Sequence, residues 1–121
     1  MGYAYRNSHE FVCYLEKGYR KLNNLGLGDV LRHKRIRNGY PTEKPVSLLK
    51  DLIENSSREG EVVLDCFAGS GSTLEAALTL NRHAIGVEIN EEACNNIPTR
   101  LNTFTETDTL FVPRSQMQLF G

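Results

Sequence analysis

The spacing of apolar residues changes several times along the chain, and each change marks an element. His9-Glu10-Phe11-Val12-Cys13-Tyr14-Leu15 is rich in aromatic and β-branched residues and closes on Lys17-Gly18, which predicts one buried strand. From Tyr19 to Tyr40 the periodicity is lost. That segment holds Gly26, Gly28, Gly39 and the run Arg32-His33-Lys34-Arg35-Ile36-Arg37, so it reads as a long loop, and loops beyond ~12 to 15 residues are usually functional or mobile. Pro41 and Pro45 bracket Thr42-Glu43-Lys44, after which Val46, Leu49, Leu52 and Ile53 share one face of a helix that frays at Asn55-Ser56-Ser57.

Gly60 then turns the chain into Val62-Val63-Leu64-Asp65, a short apolar run that suits an internal strand of a parallel sheet, buried on both faces. The loop Phe67-Ala68-Gly69-Ser70-Gly71-Ser72 follows at once. A second helix, about Thr73 to Leu80, sets Leu74, Ala77 and Leu78 on one side, and His83-Ala84-Ile85-Gly86-Val87-Glu88 makes the next strand of a βαβ unit. Asn90 is a good N-cap for a third helix with apolar positions Ala93, Ile97 and Leu101, which Pro98 should kink or end early. Beyond Leu101 the polar residues 102–108 and the short Leu110-Phe111-Val112 predict a tail with at most one edge strand.

Composition narrows this to a globular α/β chain. It has 121 residues, 40% hydrophobic and 24% charged, which is short for a large doubly wound sheet of well over ~150 residues, so a part of something larger is expected. No apolar run approaches the ~18 residues of a membrane span and the N-terminus lacks a signal peptide's apolar stretch, so no membrane and a cytoplasmic location are expected. Cys13, Cys66 and Cys94 lie far apart with no CxxC pair, which predicts reduced, partly buried thiols and neither a disulfide framework nor a metal site. Charge is divided unevenly: residues 1–41 hold 8 Lys/Arg against 3 Asp/Glu, and residues 42–121 hold 6 against 12. Only the first third would draw a polyanion.

Two strands that each end in an acid, Asp65 and Glu88, with a glycine turn and a helix between them, form a nucleoside-binding arrangement. Glycine lets the backbone approach a ligand, the helix N-terminus offers free N–H groups, and Glu88 can accept both ribose hydroxyls. A dinucleotide fingerprint would continue GxGxxG, yet after Gly69 and Gly71 the third position is Leu74, which weakens an NAD reading. Asp65, directly before the turn, suits a ligand carrying an ammonium group better than a pyrophosphate.

Asp65-Cys66-Phe67-Ala68-Gly69-Ser70-Gly71-Ser72-Thr73 resembles the D-P-F-x-G-x-G-[ST]-T motif of S-adenosylmethionine-dependent DNA amino-methyltransferases. Tyr40-Pro41-Thr42-Glu43-Lys44-Pro45 is similar to that family's H-P-T-[EQ]-K-P element, and Arg6-Asn7-Ser8-His9-Glu10-Phe11 resembles its R-x-x-H-E-[FY] strand. The three motifs stand in family order, with Cys66 in place of the usual proline and Tyr40 in place of the usual histidine. The resemblance implies a Rossmann-like methyltransferase fold, present as the C-terminal portion of its sheet, with S-adenosylmethionine as cofactor. It places Asp65, Phe67, Ala68, Gly69, Gly71, Ser72 and Thr73 around the cofactor, Glu88 on its ribose, and Thr42 and Lys44 at its carboxylate end. The competing readings are core packing for Phe67, Ile85, Val87 and Gly86, and a helix-start charge for Lys44.

The family's catalytic [DNS]-P-P-[YFW] motif is absent, because Pro41, Pro45, Pro98 and Pro113 are never adjacent. No catalytic residue is therefore assigned here. In the permuted class, where the catalytic half comes first, the motif would lie upstream of Met1, so the chain reads as a C-terminal half that needs a missing segment, a partner chain or a second copy. The domain plan is a strand of the sheet in residues 1–18, a basic loop in 19–41, a cofactor-binding core in 42–101 and a tail in 102–121. Arg32, Lys34, Arg35 and Arg37 are candidates for DNA phosphates, with a merely solvated loop as the alternative. Gln116-Met117-Gln118-Leu119-Phe120 resembles the Q-x-x-L-F peptide that docks bacterial proteins on the replication sliding clamp, with Gln116, Leu119 and Phe120 as anchors, the alternative being a packed tail strand. Two other functions stay in view: a non-catalytic remnant that binds cofactor or DNA, and an NAD-type nucleotide-binding domain.

Overall fold

The computed structural model describes residues 4–5, 7–39 and 42–104, and the backbone of 109–113. Among the described residues six elements follow in the order α1 (Val46–Ser56), β1 (Val62–Asp65), α2 (Ser72–Thr79), β2 (His83–Glu88), α3 (Glu91–Arg100) and β3 (Thr109–Pro113). The strands form a parallel sheet in the order β1-β2-β3, with Val62 opposite His83, Asp65 opposite Gly86, and Glu88 opposite Pro113. Parallel pairing requires a crossover connection, which α2 supplies between β1 and β2.

The helices start and stop where local chemistry dictates. Pro45, with φ of −58°, stands as the N-cap of α1. Asn90 opens α3 by accepting a bond from the Ala93 N–H at 2.9 Å, with Glu91 and Glu92 in the first turn, where the helix dipole favours acids. Pro98 leaves the Cys94 carbonyl without its helical partner, yet α3 ends only after Arg100, because the exposed proline sits within its last turn.

One buried cluster unites the helices: Ile53 from α1, Leu74, Ala76, Ala77 and Leu78 from α2, Ala84 from β2, and Ile97 and Leu101 from α3 and its end. Leu74 and Ile97 are fully enclosed, and burying each such side chain contributes roughly 1.5–3 kcal/mol. A second lock joins α1 to the turn before β2. The Arg82 guanidinium is buried and donates to the Ser57 carbonyl at 2.8 Å, the Ser57 hydroxyl at 3.0 Å and the Leu80 carbonyl at 2.6 Å. Asn23 closes the end of α1 by donating to the carbonyls of Glu54 and Ser57, both at 2.7 Å, and so pins the long loop to the core.

Two expectations are corrected. Residues 7–39 contain no helix or strand among the described residues, so the strand expected over His9–Leu15 is not formed, and Phe11 and Leu15 stand about nine-tenths exposed. Its aromatic and β-branched composition favours a strand only where a sheet edge and a burying face receive it, and in the structure the segment pairs with no described strand. The third strand comes from the C-terminal side, as β3. Nor is β1 buried on both faces: Val63 packs on the core, while Val62 and Leu64, on the opposite face, are each 59% exposed. The helices share one cluster on one side of β1, and no described element covers the other. Among the cysteines only Cys94 is buried, with Cys13 and Cys66 exposed.

The close packing of helix on strand uses a glycine of the strand. A Cβ on Gly86 would lie 2.6 Å from Leu74 Cδ1 and 3.2 Å from the Ala68 Cβ, so Gly86 admits Leu74 where a third glycine in the loop would otherwise be needed. Gly86→Ala should lower stability by about 1–3 kcal/mol through overpacking, with partial recovery on adding Leu74→Val. Thermal melts of the single and double variants check this, and a Gly86→Ala melt equal to wild type would contradict it.

Candidate functional site

The carboxyl ends of β1 and β2 carry Asp65 and Glu88, and the loop between β1 and α2 is stitched to β2 by its own backbone. The Ala68 N–H donates to the Val87 carbonyl at 2.9 Å, and the Gly71 N–H donates to the Ala68 carbonyl at 2.8 Å. Gly69 and Gly71 adopt φ of 54° and 86°, left-handed values that cost a side-chain-bearing residue strain. A Cβ on Gly71 would also meet Ile97 Cγ1 at 3.2 Å. The loop's path therefore depends on glycine twice, once by torsion and once by torsion and space together.

Glu88 is the electrostatic centre of this end. Its Oε1 accepts the Asn90 N–H at 2.8 Å and its Oε2 accepts the Gly69 N–H at 2.6 Å. The Asn90 amide, then burial acting in the opposite sense, then the amides of Gly69 and Ile89 leave its carboxyl below the ordinary glutamate range. A carboxylate offers about four lone-pair sites, so capacity for a further donor remains. Asp65 Oδ1 accepts the Phe67 N–H at 3.0 Å, which turns the chain away from the strand. The Phe67 ring is 89% exposed, so its reading as a core residue does not hold. α2 begins with no side-chain cap, and its first N–H groups face the loop's end.

The candidate residues among those described each have a definite place. Asp65, Phe67, Gly69, Gly71, Thr73 and Glu88 gather at the carboxyl end of the sheet; the Ala68 and Ser72 side chains are buried beneath it. Ala68 spends its N–H and carbonyl on Val87 and Gly71, leaving little with which to hold a ligand. Thr42 is exposed, with φ of 65° in the left-handed region, and Lys44 pairs through Nζ with Glu10. Arg32, Lys34, Arg35 and Arg37 are exposed, while His33 between them is anchored to α1 by Ser47 Oγ at 2.8 Å and Asp51 Oδ2 at 3.0 Å. Gln116, Leu119 and Phe120 lie outside the described residues, as do Arg6, Tyr40 and Pro41.

Arg100 went unnoticed in the sequence because a cation in the last turn of a helix is already accounted for by the dipole. Its Nε lies 2.5 Å from Glu75 Oε2 and its Nη1 lies 2.6 Å from Glu43 Oε1 and 3.1 Å from Ser70 Oγ. Burial works against its charge, yet the bonds to Glu75 and Glu43 outweigh burial and raise its pKa. The buried Cys94 thiol, raised by burial and then by the charges of Glu88 and Glu91, donates to the Glu88 carbonyl at 3.3 Å.

A glycine loop at the carboxyl ends of adjacent parallel strands, with an acid closing each strand, is the arrangement of nucleoside-binding α/β folds. The family model described as DNA methylase, N6_N4_Mtase, matches residues 2–98, and the chain belongs to that family. It is 51% identical over 80 residues to the type II methyltransferase M.HindIII of Haemophilus influenzae, covering 66% of this chain and 26% of that protein. With the type II methyltransferase M.HpaI of Haemophilus parainfluenzae it shares 35% identity over 97 residues, 73% of this chain and 31% of that one. The solved M1.HpyAVI–SAM complex superposes with a TM-score of 0.56 at 30% identity, over 67% of this chain and 42% of that chain. The chain thus spans between about a quarter and two fifths of the length of these relatives.

The lowered Glu88 pKa links the site to stability. The contribution of its carboxylate is fully present above the unfolded glutamate pKa of about 4.3 and is lost as pH falls through the depressed folded value. Glu88→Gln should therefore flatten the decline of melting temperature below about pH 4.3, and an acid limb identical to wild type would contradict the assignment.

Proposed function

We propose that this chain is the S-adenosylmethionine-binding part of a DNA methyltransferase that modifies the exocyclic amino group of adenine or cytosine. The observation that carries this reading is the stitched loop, in which Gly69 donates to the acid, Glu88, that is suited to a ribose. The residues present fit the cofactor: Glu88 stays ionised with lone pairs to spare for the ribose hydroxyls, and Asp65 supplies a negative charge for the ammonium group. Phe67 offers an exposed ring, and Gly69, Gly71 and Thr73 bring backbone and the start of α2 to the methionine portion. Thr42 and Lys44 serve the carboxylate end, and Ala68 and Ser72 support the loop from below. When bound, the cofactor supplies an electrophilic methyl group on sulfur.

Methyl transfer also needs a flipped base, an aromatic platform and acceptors for the amino hydrogens. The absent [DNS]-P-P-[YFW] motif would supply these from a missing segment or a partner chain. The uncovered face of β1, with Val62 and Leu64 exposed, favours such a covering segment, or a second copy of the chain. The same partial coverage of the relatives supports a second reading, a non-catalytic remnant that binds cofactor or DNA. Supplying an upstream half that carries the motif separates the two, since restored methyl transfer excludes the remnant.

Calorimetric titration of the chain should show micromolar binding of S-adenosylmethionine and none of NAD. Asp65→Ala should weaken binding by about tenfold or more, as loss of a charge-assisted partner does. Binding of NAD alone, or cofactor binding unchanged in the variant, would overturn the reading.

Two further contacts belong to the same proposal. Arg32, Lys34, Arg35 and Arg37 face solvent where DNA phosphates could reach them, and Gln116, Leu119 and Phe120 would dock on the sliding clamp. Replacing the four basic residues with Ala should reduce the salt dependence of DNA binding by about 0.9 in log–log slope per lost phosphate contact. Deleting Leu119 and Phe120 should abolish clamp capture and leave that slope unchanged. A basic variant with the wild-type slope, or a truncated chain still captured, would remove the corresponding partner.

A further inference from the structure

Two segments far apart in sequence, at Glu43 and at Ser70–Glu75, meet at one guanidinium. Glu43 precedes α1, Ser70 lies in the glycine loop, Glu75 is on α2, and Arg100, on α3, touches all three. The side chains of Arg100 and Glu43 are only 23% and 10% exposed, so this pair is shielded from the screening that makes surface ion pairs weak. Ile97, one turn earlier on the same helix, fills the space beside Gly71. α3 thus meets two consecutive loop residues, Ser70 through Arg100 and Gly71 through Ile97. The loop's opposite side is held by Val87 and Glu88 of β2.

We infer that Arg100 is a positioning residue that fixes the glycine loop and the Thr42–Lys44 segment relative to one another, so that both ends of the cofactor site are set by one side chain. This deepens the cofactor reading given above and rests on it. The planar fork is essential to the role. Nε and Nη1 point along different directions and so satisfy Glu75 on one side and Glu43 with Ser70 on the other, whereas a lysine ammonium is a single point at the end of a flexible stem. Without the tether the loop keeps its attachment to β2 and the packing of Ile97 beside Gly71, and Thr42, held at a φ of 65° that a β-branched residue rarely adopts, loses a restraint on its neighbour Glu43.

The full chain is compared with Arg100→Lys, Arg100→Gln, Glu43→Gln and the double variant Arg100→Gln with Glu43→Gln, by amide hydrogen exchange, S-adenosylmethionine titration and thermal melting. Arg100→Lys should melt cooperatively, exchange faster at Glu43–Lys44 and Ser70–Thr73 than elsewhere, and bind the cofactor about tenfold more weakly. The double variant should be no worse than Arg100→Gln alone, because the two residues act through one contact. Should Arg100→Gln fail to fold, Arg100→Lys and Glu43→Gln carry the comparison. Wild-type exchange and affinity in Arg100→Lys, or a rise in exchange spread evenly over the chain, would overturn the inference. A wild-type chain that binds no cofactor would refute the cofactor reading alone, and the exchange pattern would still decide the role of Arg100.

Discussion

The seating of Leu74 against Gly86 is the contact on which the remaining geometry depends. It lets α2 lie close enough to β2 for the loop between β1 and α2 to reach the end of β2, where Ala68 meets Val87 and Gly69 meets Glu88. A side chain at position 86 would push the helix outward and stretch both bonds. The substitution of one glycine for another is physically sensible: what close packing requires is the absence of a Cβ at the point of contact, and either partner can provide it.

Around that contact the site is held by charges that already have partners. Glu88 is fixed by two amides before any ligand arrives, and Asp65 by the Phe67 N–H, so neither carboxylate must reorganise to accept a donor. Glu43 and Glu75 share Arg100. The acidic excess of residues 42–121 is thus partly a scaffold. By contrast, Arg32, Lys34, Arg35 and Arg37 stay in solvent, while His33 is drawn down onto α1 and Arg20 pairs with Glu61 at 2.9 Å.

The architecture is one-sided. Three helices share a core on one face of the sheet, the opposite face of β1 is open, and an aromatic N-terminal segment stands exposed beside no described strand. These features agree with a chain spanning a minority of the length of its DNA methylase relatives. A parallel sheet is stable when both faces are covered, and the cover here is incomplete.

Local chemistry was legible in the residues themselves. The βαβ unit, the Asn90 cap, the glycine loop and the two acids at strand ends each follow from a few consecutive positions whose torsions or periodicity admit one answer. The family motifs are local too. What the tertiary structure decided is everything that depends on distant segments meeting. His9–Leu15 has the composition of a strand, but pairing is a property of the neighbour as much as of the segment, and here it pairs with none of the described strands. Leu74 looked like the loss of a packing glycine until Gly86, across the βαβ unit, was seen to supply it. Arg100 carried no signal in its own surroundings, because an ion pair between residues 43 and 100 leaves no periodic trace: the energy lies in a contact that exists only once three elements have folded together.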